Sequence, residues 1–126
     1  MSAAALQRAL FQRLTTALAD LNCPVFDDVE DGAPLPYVQF ARDDEVPGGD
    51  LEELSSQWFL YLTVWSDYRG KLEIKGIADR IKAAVREPLT LAEGRAHGLR
   101  WVRCTYVPEP DGKTYQGLIT LSCFTE

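Results

Sequence analysis

The sequence predicts an α+β fold: a mainly antiparallel sheet with two helices packed on one face, plus a long acidic-tipped β-hairpin. Three observations lead there. Apolar residues recur at three- and four-residue steps in segments 3–21 and 70–86, the spacing of amphipathic helices. The remaining strand-like runs pair off across turn-rich links, as hairpins do. The order is helix, small β piece, hairpin, helix, hairpin, which reads as helices layered on an antiparallel sheet. The 126 residues fit one domain with one core, spanning 1–126. No repeat, low-complexity run or long linker divides it.

The elements follow in order. Leu6, Leu10, Leu14, Ala17, Leu18 and Leu21 form the stripe of the first helix, with Ser2 as N-cap. Arg8 and Arg13 interrupt the apolar stretch, so it reads as an amphipathic helix and not as a signal-peptide core. Asn22-Cys23-Pro24 ends it, because proline drives the preceding residue out of the α region. "VFDDV" (25–29) is short and β-like, and "EDGAPLP" is a turn-rich link. A strand starts at Tyr37, a polar loop "PGGDLEE" follows, and a long strand runs from about Ser55 to Trp65. Between residues 43 and 53 this hairpin carries Asp43, Asp44, Glu45, Asp50, Glu52 and Glu53, with no base among them. The second helix shows the stripe Ile74, Ile77, Ala78, Ile81 and Val85 and stops at Pro88. "LTL" (89–91) reads as a short strand. Residues 97–107 and 114–125 form a closing hairpin around "PEPDG", where Asp111-Gly112 supplies turn chemistry.

One strand says more than the rest. In "WFLYLTVW" one face holds Trp58, Leu60, Leu62 and Val64, and the other holds Phe59, Tyr61, Thr63 and Trp65. A half-exposed antiparallel strand alternates apolar with polar, and this one does not. If helices cover one side, a neighbouring subunit is the economical cover for the other. The expectation is an oligomer with Trp58, Phe59, Tyr61 and Trp65 in or near the subunit contact.

Chemistry is hard to place. The net charge of −6 and pI near 4.8 disfavour a general DNA binder, which gains affinity by neutralising phosphates. Cys23, Cys104 and Cys123 include no C-x-x-C pair and read as reduced, buried small residues. The single histidine, His97, reads as an exposed turn residue. The acidic tip does not match the spacing of a calcium loop, so no metal and no cofactor are expected. No apolar run reaches the roughly 20 residues of a membrane span. The strand-to-helix corner "WSDYRG" lacks a nucleophile-elbow context, because Val64 and Tyr68 stand where its glycines would be. It also lacks a phosphate-loop pattern. It reads instead as a capped corner. Ser66 or Asp67 accepts an orphan helix N–H, Gly70 turns the chain, and Tyr68 and Arg69 project. No acid/base pair or nucleophile emerges, so the expectation is a protein that is not an enzyme.

Several segments carry a resemblance over nearly the whole chain: "PVFDDVEDGAPLPYVQF", "LTVWSDYRGKLEIKGIADRIKAAV", "PLTLAEGRAHGLRWVRC" and "PEPDGKTYQGLITLSC". With "VWS-x-YRG-x-x-E" as its most specific piece, the sequence resembles the tail-completion, or tail terminator, proteins of long-tailed phages and gene transfer particles. The resemblance implies a hexameric ring that caps the head-proximal end of the tail tube and stops tube polymerisation. It also implies docking onto the head connector or stopper, with DNA passing through the lumen without specific binding. The expected partners are further copies of the chain, the tail tube protein and the connector, in a particle assembled in the bacterial cytoplasm. Phage, prophage and gene transfer particle are equally compatible. On this reading Asp43, Asp44, Glu45, Asp50, Glu52 and Glu53 are candidates for lumen lining or tube contact, where negative charge keeps DNA from adhering. Tyr68 and Arg69 are further candidates for the subunit contact. A head-tail adaptor or stopper, or a tail-tube subunit, are the alternatives within the structural class. A small-molecule-binding or accessory enzyme domain is the alternative outside it, and that would need a pocket with convergent polar groups.

Overall fold

The first helix, α1 (Ser2–Leu18), sets the inner layer by placing Leu6, Leu10, Leu14 and Leu18 four residues apart, all fully buried. The structure is a computed structural model describing residues 2–48 and 55–126. A 3-10 turn (Ala19–Leu21) closes α1, and Asn22 then adopts a left-handed conformation with φ 53°, as helix ends often do. The strands are β1 (Val25–Phe26), β2 (Tyr37–Pro47), β3 (Ser56–Ser66), β4 (Ala96–Pro108) and β5 (Tyr115–Thr125), with α2 (Leu72–Ala84) between β3 and β4.

The five strands form one sheet in the order β1-β2-β3-β5-β4. Neighbours are antiparallel except β1, which runs parallel to β2 through Val25↔Val38 and Phe26↔Gln39. Both helices pack on one face of this sheet. Ile74, Ile77, Ala78 and Ile81 of α2 and the leucines of α1 meet Val38, Trp58, Leu60, Leu62, Val64, Ile119, Leu121 and Cys123. Each fully buried Leu or Ile side chain contributes about 1.5–3 kcal/mol through removal from water. The α+β architecture and the two helices sharing one face are as the sequence predicts.

The helices also hold each other's ends. Arg13 of α1 donates to the carbonyls of Ala84 (2.8 Å), Glu87 (2.9 Å) and Pro88 (2.9 Å), where α2 finishes. Arg80 of α2 donates to the Ala17 carbonyl (3.0 Å) near the end of α1 and to Asp20 (2.7 Å). Each guanidinium thus meets the negative end of the other helix and satisfies carbonyls that lack an intrahelical partner.

Local details differ from the sequence reading. Ser2 is the first residue of α1 and not a cap outside it. "VFDDV" pairs over two residues only, since Asp27 and Asp28 leave the sheet. Residues 89–91 form no strand. Leu89 instead plugs the core as the chain leaves α2, and Pro88 before it has no N–H to offer a ladder. In the closing hairpin Asp111 binds the loop to itself, accepting from the N–H groups of Lys113 (2.8 Å) and Thr114 (2.9 Å) and from the Thr114 hydroxyl.

Candidate functional site: the uncovered sheet face

The strand alternation that buries Trp58, Leu60, Leu62 and Val64 aims Phe59, Tyr61 and Trp65 at the opposite face, where no helix lies among the described residues. The register extends this face across the sheet in rows. One row is Tyr37–Trp65–Gln116–Val107, and the next is Gln39–Thr63–Leu118–Thr105. Then come Arg42–Tyr61–Thr120–Arg103 and Asp44–Phe59–Ser122–Arg100, and finally Val46–Gln57–Phe124–His97. Side-chain contacts confirm that these groups share a face. The Arg42 guanidinium lies 4.5 Å from the Tyr61 ring centre. Arg100 Nε donates to Ser122 Oγ at 3.1 Å, Trp65 Nε1 to Gln39 Oε1 at 3.3 Å, and His97 stacks on Phe124.

Phe59, Tyr61 and Trp65 are half-buried, while Leu118 and Phe124 are 40% and 39% exposed. A contiguous aromatic and aliphatic surface of this kind marks a contact with another molecule more often than a monomer's own surface. Among the described residues its charged groups include Arg42, Arg100, Arg103 and Asp44, which pairs with Arg42 at 3.3 Å, while Glu109 accepts from Gln116 at its margin. In a chain of net charge −6 this face is locally cationic.

The structure sorts the other candidates. Trp58 is a correction to the predicted contact set: it is 5% exposed, faces the helices, and donates to Thr125 Oγ1 at 2.9 Å. Alternation with period two separates Trp58 from Phe59, but when both faces are apolar it cannot say which turns inward. Tyr68 (60% exposed) and Arg69 project from the β3–α2 corner, next to Leu72 at 78% exposed. Gly70 is left-handed there, with φ 75°.

The corner's cap also needs correcting. Lys71 occupies the cap position of α2, without a side-chain cap bond, so neither Ser66 nor Asp67 serves as N-cap. Ser66 is fully buried at the end of β3. It donates to Glu73 Oε1 (2.6 Å) and accepts from the Tyr68 N–H (3.0 Å), tying strand, corner and first helical turn together.

Of the acidic candidates, Asp43, Asp44 and Glu45 lie within paired β2 and alternate across the sheet. Asp43 and Glu45 point to the helix side and Asp44 to the uncovered side. Partial burial holds the Asp43 carboxyl above its ordinary value, and the charges of Asp27 and Asp44 add to this. Glu45 accepts from Ser56 Oγ at 2.6 Å. Asp50, Glu52 and Glu53 lie outside the described residues.

Among the described residues no group of three His, Cys, Asp or Glu could hold a metal ion. Burial pushes the Cys23 thiol up to about 12, with Glu73 adding to it, and the Cys123 thiol up to about 11. Both are therefore unreactive thiols in the core. A groove between α1 and the segment after α2 contains Arg13, but its guanidinium is committed to three carbonyls. No helix among the described residues is long and apolar enough to cross a membrane.

The described residues thus form a helix-backed sheet with one open, partly aromatic face. Residues 8–126 match the family described as tail completion protein gp17, and the chain belongs to that family of virion structural proteins. Solved structures share the fold, two of them as follows. One, described as the virion of a native gene transfer agent particle, aligns with TM-score 0.82 and 24% identity over 98% of this chain and 96% of that one. The other, the gp17 protein of bacteriophage SPP1, aligns with TM-score 0.62 and 22% identity over 99% and 91%. No curated protein matches the sequence.

Proposed function

We propose that the chain is a ring-forming tail terminator. Six copies would close at the head-proximal end of a tail tube, stop its polymerisation and join it to the head connector or stopper, with DNA passing through the lumen. Family membership supports a tail-completing role. The likeness to a chain in a gene transfer agent virion supports a position in a particle of that kind or in a phage. The observation that carries the ring is the uncovered sheet face, with Phe59, Tyr61, Trp65, Leu118 and Phe124 incompletely buried in the lone subunit. A ring repeats one pair of unlike patches until the rotation closes, and an apolar patch on each copy provides area for such a contact. Asp50, Glu52 and Glu53 are the proposed lumen or tube-contact residues, where like charge disfavours lingering DNA.

The test is light scattering on the wild-type chain beside Tyr61→Asp, which sets a carboxylate on the uncovered face and leaves the helix-side core intact. The wild type is expected to show a multimeric mass and the variant a monomer with an unchanged circular dichroism spectrum. A variant that assembles like the wild type would remove this face from the contact.

A further inference from the structure

The two flanks of the sheet carry opposite charge. Segment 25–47, which builds the β1–β2 flank, holds Asp27, Asp28, Glu30, Asp31, Asp43, Asp44 and Glu45 against one base, Arg42. Segment 95–108, which builds the β4 flank at the far side, holds Arg95, Arg100 and Arg103 and no acid. Within the described residues, internal ion pairs cancel little of this. Arg42 pairs with Asp44 and Arg95 with Glu126, and no ion pair engages Arg100, Arg103 or the other six carboxylates. Asp43 holds its proton more tightly than a free carboxyl, first through partial burial and then through the charges of Asp27 and Asp44.

Both flanks also end in strands with an open side. β4 is the last strand of the sheet, and β1 covers β2 at Val38 and Gln39 only. β4 is interrupted by irregularities between His97 and Arg100 and between Trp101 and Arg103. Such bulges break a regular hydrogen-bond ladder and protect an edge from indiscriminate pairing. A contact at this flank is therefore made by side chains.

We propose that successive copies of the chain join head to tail through these flanks, with Arg100 and Arg103 of one copy set against the carboxylates around Asp28 and Asp43 of the next. This rests on the ring reading and names the surfaces that meet. Acid against acid and base against base repel, so the charge pattern disfavours two-fold pairing of like flanks and favours a repeating, heterologous contact. Exposed pairs add little affinity each, so their work is to choose partner and orientation. The apolar groups of the uncovered face supply the area.

The experiment is sedimentation velocity on the full chain at low and high salt, with two variants. Arg100→Glu/Arg103→Glu makes both flanks acidic, and Asp28→Lys/Asp43→Lys places two lysines where the arginines of the next copy would meet carboxylates. Each variant alone is expected to self-associate more weakly than the wild type by about tenfold or more. An equimolar mixture of the two is expected to assemble, because the new carboxylates of one variant then face the new lysines of the other, while the native arginines face native carboxylates at the alternate contacts. Recovery on mixing also separates charge repulsion from a failure to fold. Wild-type assembly unaffected by either reversal would overturn the flank assignment while leaving a ring intact. A wild-type chain that stays monomeric at every concentration would overturn the ring and the flank contact together.

Discussion

Asp43 shows how one residue reports on its surroundings. Its carboxyl titrates above the ordinary 3.8, chiefly through partial burial and then through Asp27 and Asp44. A raised folded-state value means the fold holds that proton more tightly than the unfolded chain does. Stability is then lost as pH rises through the ordinary value toward the folded one. Asp43→Asn is expected to melt at a higher temperature than the wild type near pH 7, with the difference fading below about pH 3.5, where both carry a neutral side chain. Melting curves for both proteins at the two pH values check it. Ser66 makes a different kind of residue-scale statement. Its buried hydroxyl serves Glu73 and the Tyr68 N–H at once. Ser66→Ala leaves both groups short of a partner and is expected to cost about 1–3 kcal/mol in urea unfolding. Serine at a strand-to-helix corner is legible in sequence as a cap. Its actual task was not, because burial at the end of β3 depends on how α2 docks.

At the scale of elements, the helix stripes and strand runs were legible because each repeats a period, 3.6 or 2, over many residues. β1 was legible only as a short β-like piece, because a two-residue parallel pairing has no period to fix its bounds or its partner. The two faces of β3 were legible, but listing Trp58 among the contact residues failed for a related reason. A strand apolar on both sides declares that two things cover it, and only docking of α1 shows that the Trp58 side lies under the helices. The reciprocal arginines also escaped the sequence reading. In the sequence Arg13 served only to mark the first helix as amphipathic and Arg80 had no assigned role, yet each holds the C-terminal end of the other helix. Arg13→Ala removes three charge-assisted hydrogen bonds, the one to Ala84 partly buried, and is expected to cost about 1.5–3 kcal/mol. Arg13→Lys is expected to recover only part, since an ammonium cannot span the three acceptors with a planar fork. Chemical denaturation of the three proteins orders them wild type, Lys, Ala.

At the scale of the whole molecule, composition and arrangement say different things. A net charge of −6 describes an acidic protein, but the sheet order gathers the acids at the β1–β2 side and leaves the β4 side and much of the uncovered face basic. The chain count of charges was legible from the sequence; their separation was not, because it follows from β5 inserting between β3 and β4. The helices close one side of the sheet, and the other side is aromatic and open. In the proposed ring these are the surfaces that neighbouring copies cover. The measurement that tests this most directly is a density map of an assembled particle carrying this chain. The account predicts six copies around the tail axis between tube and connector, each with its uncovered sheet face and its two charged flanks buried against other protein. A single copy per particle, or a ring in which that face and both flanks look onto solvent, would contradict it.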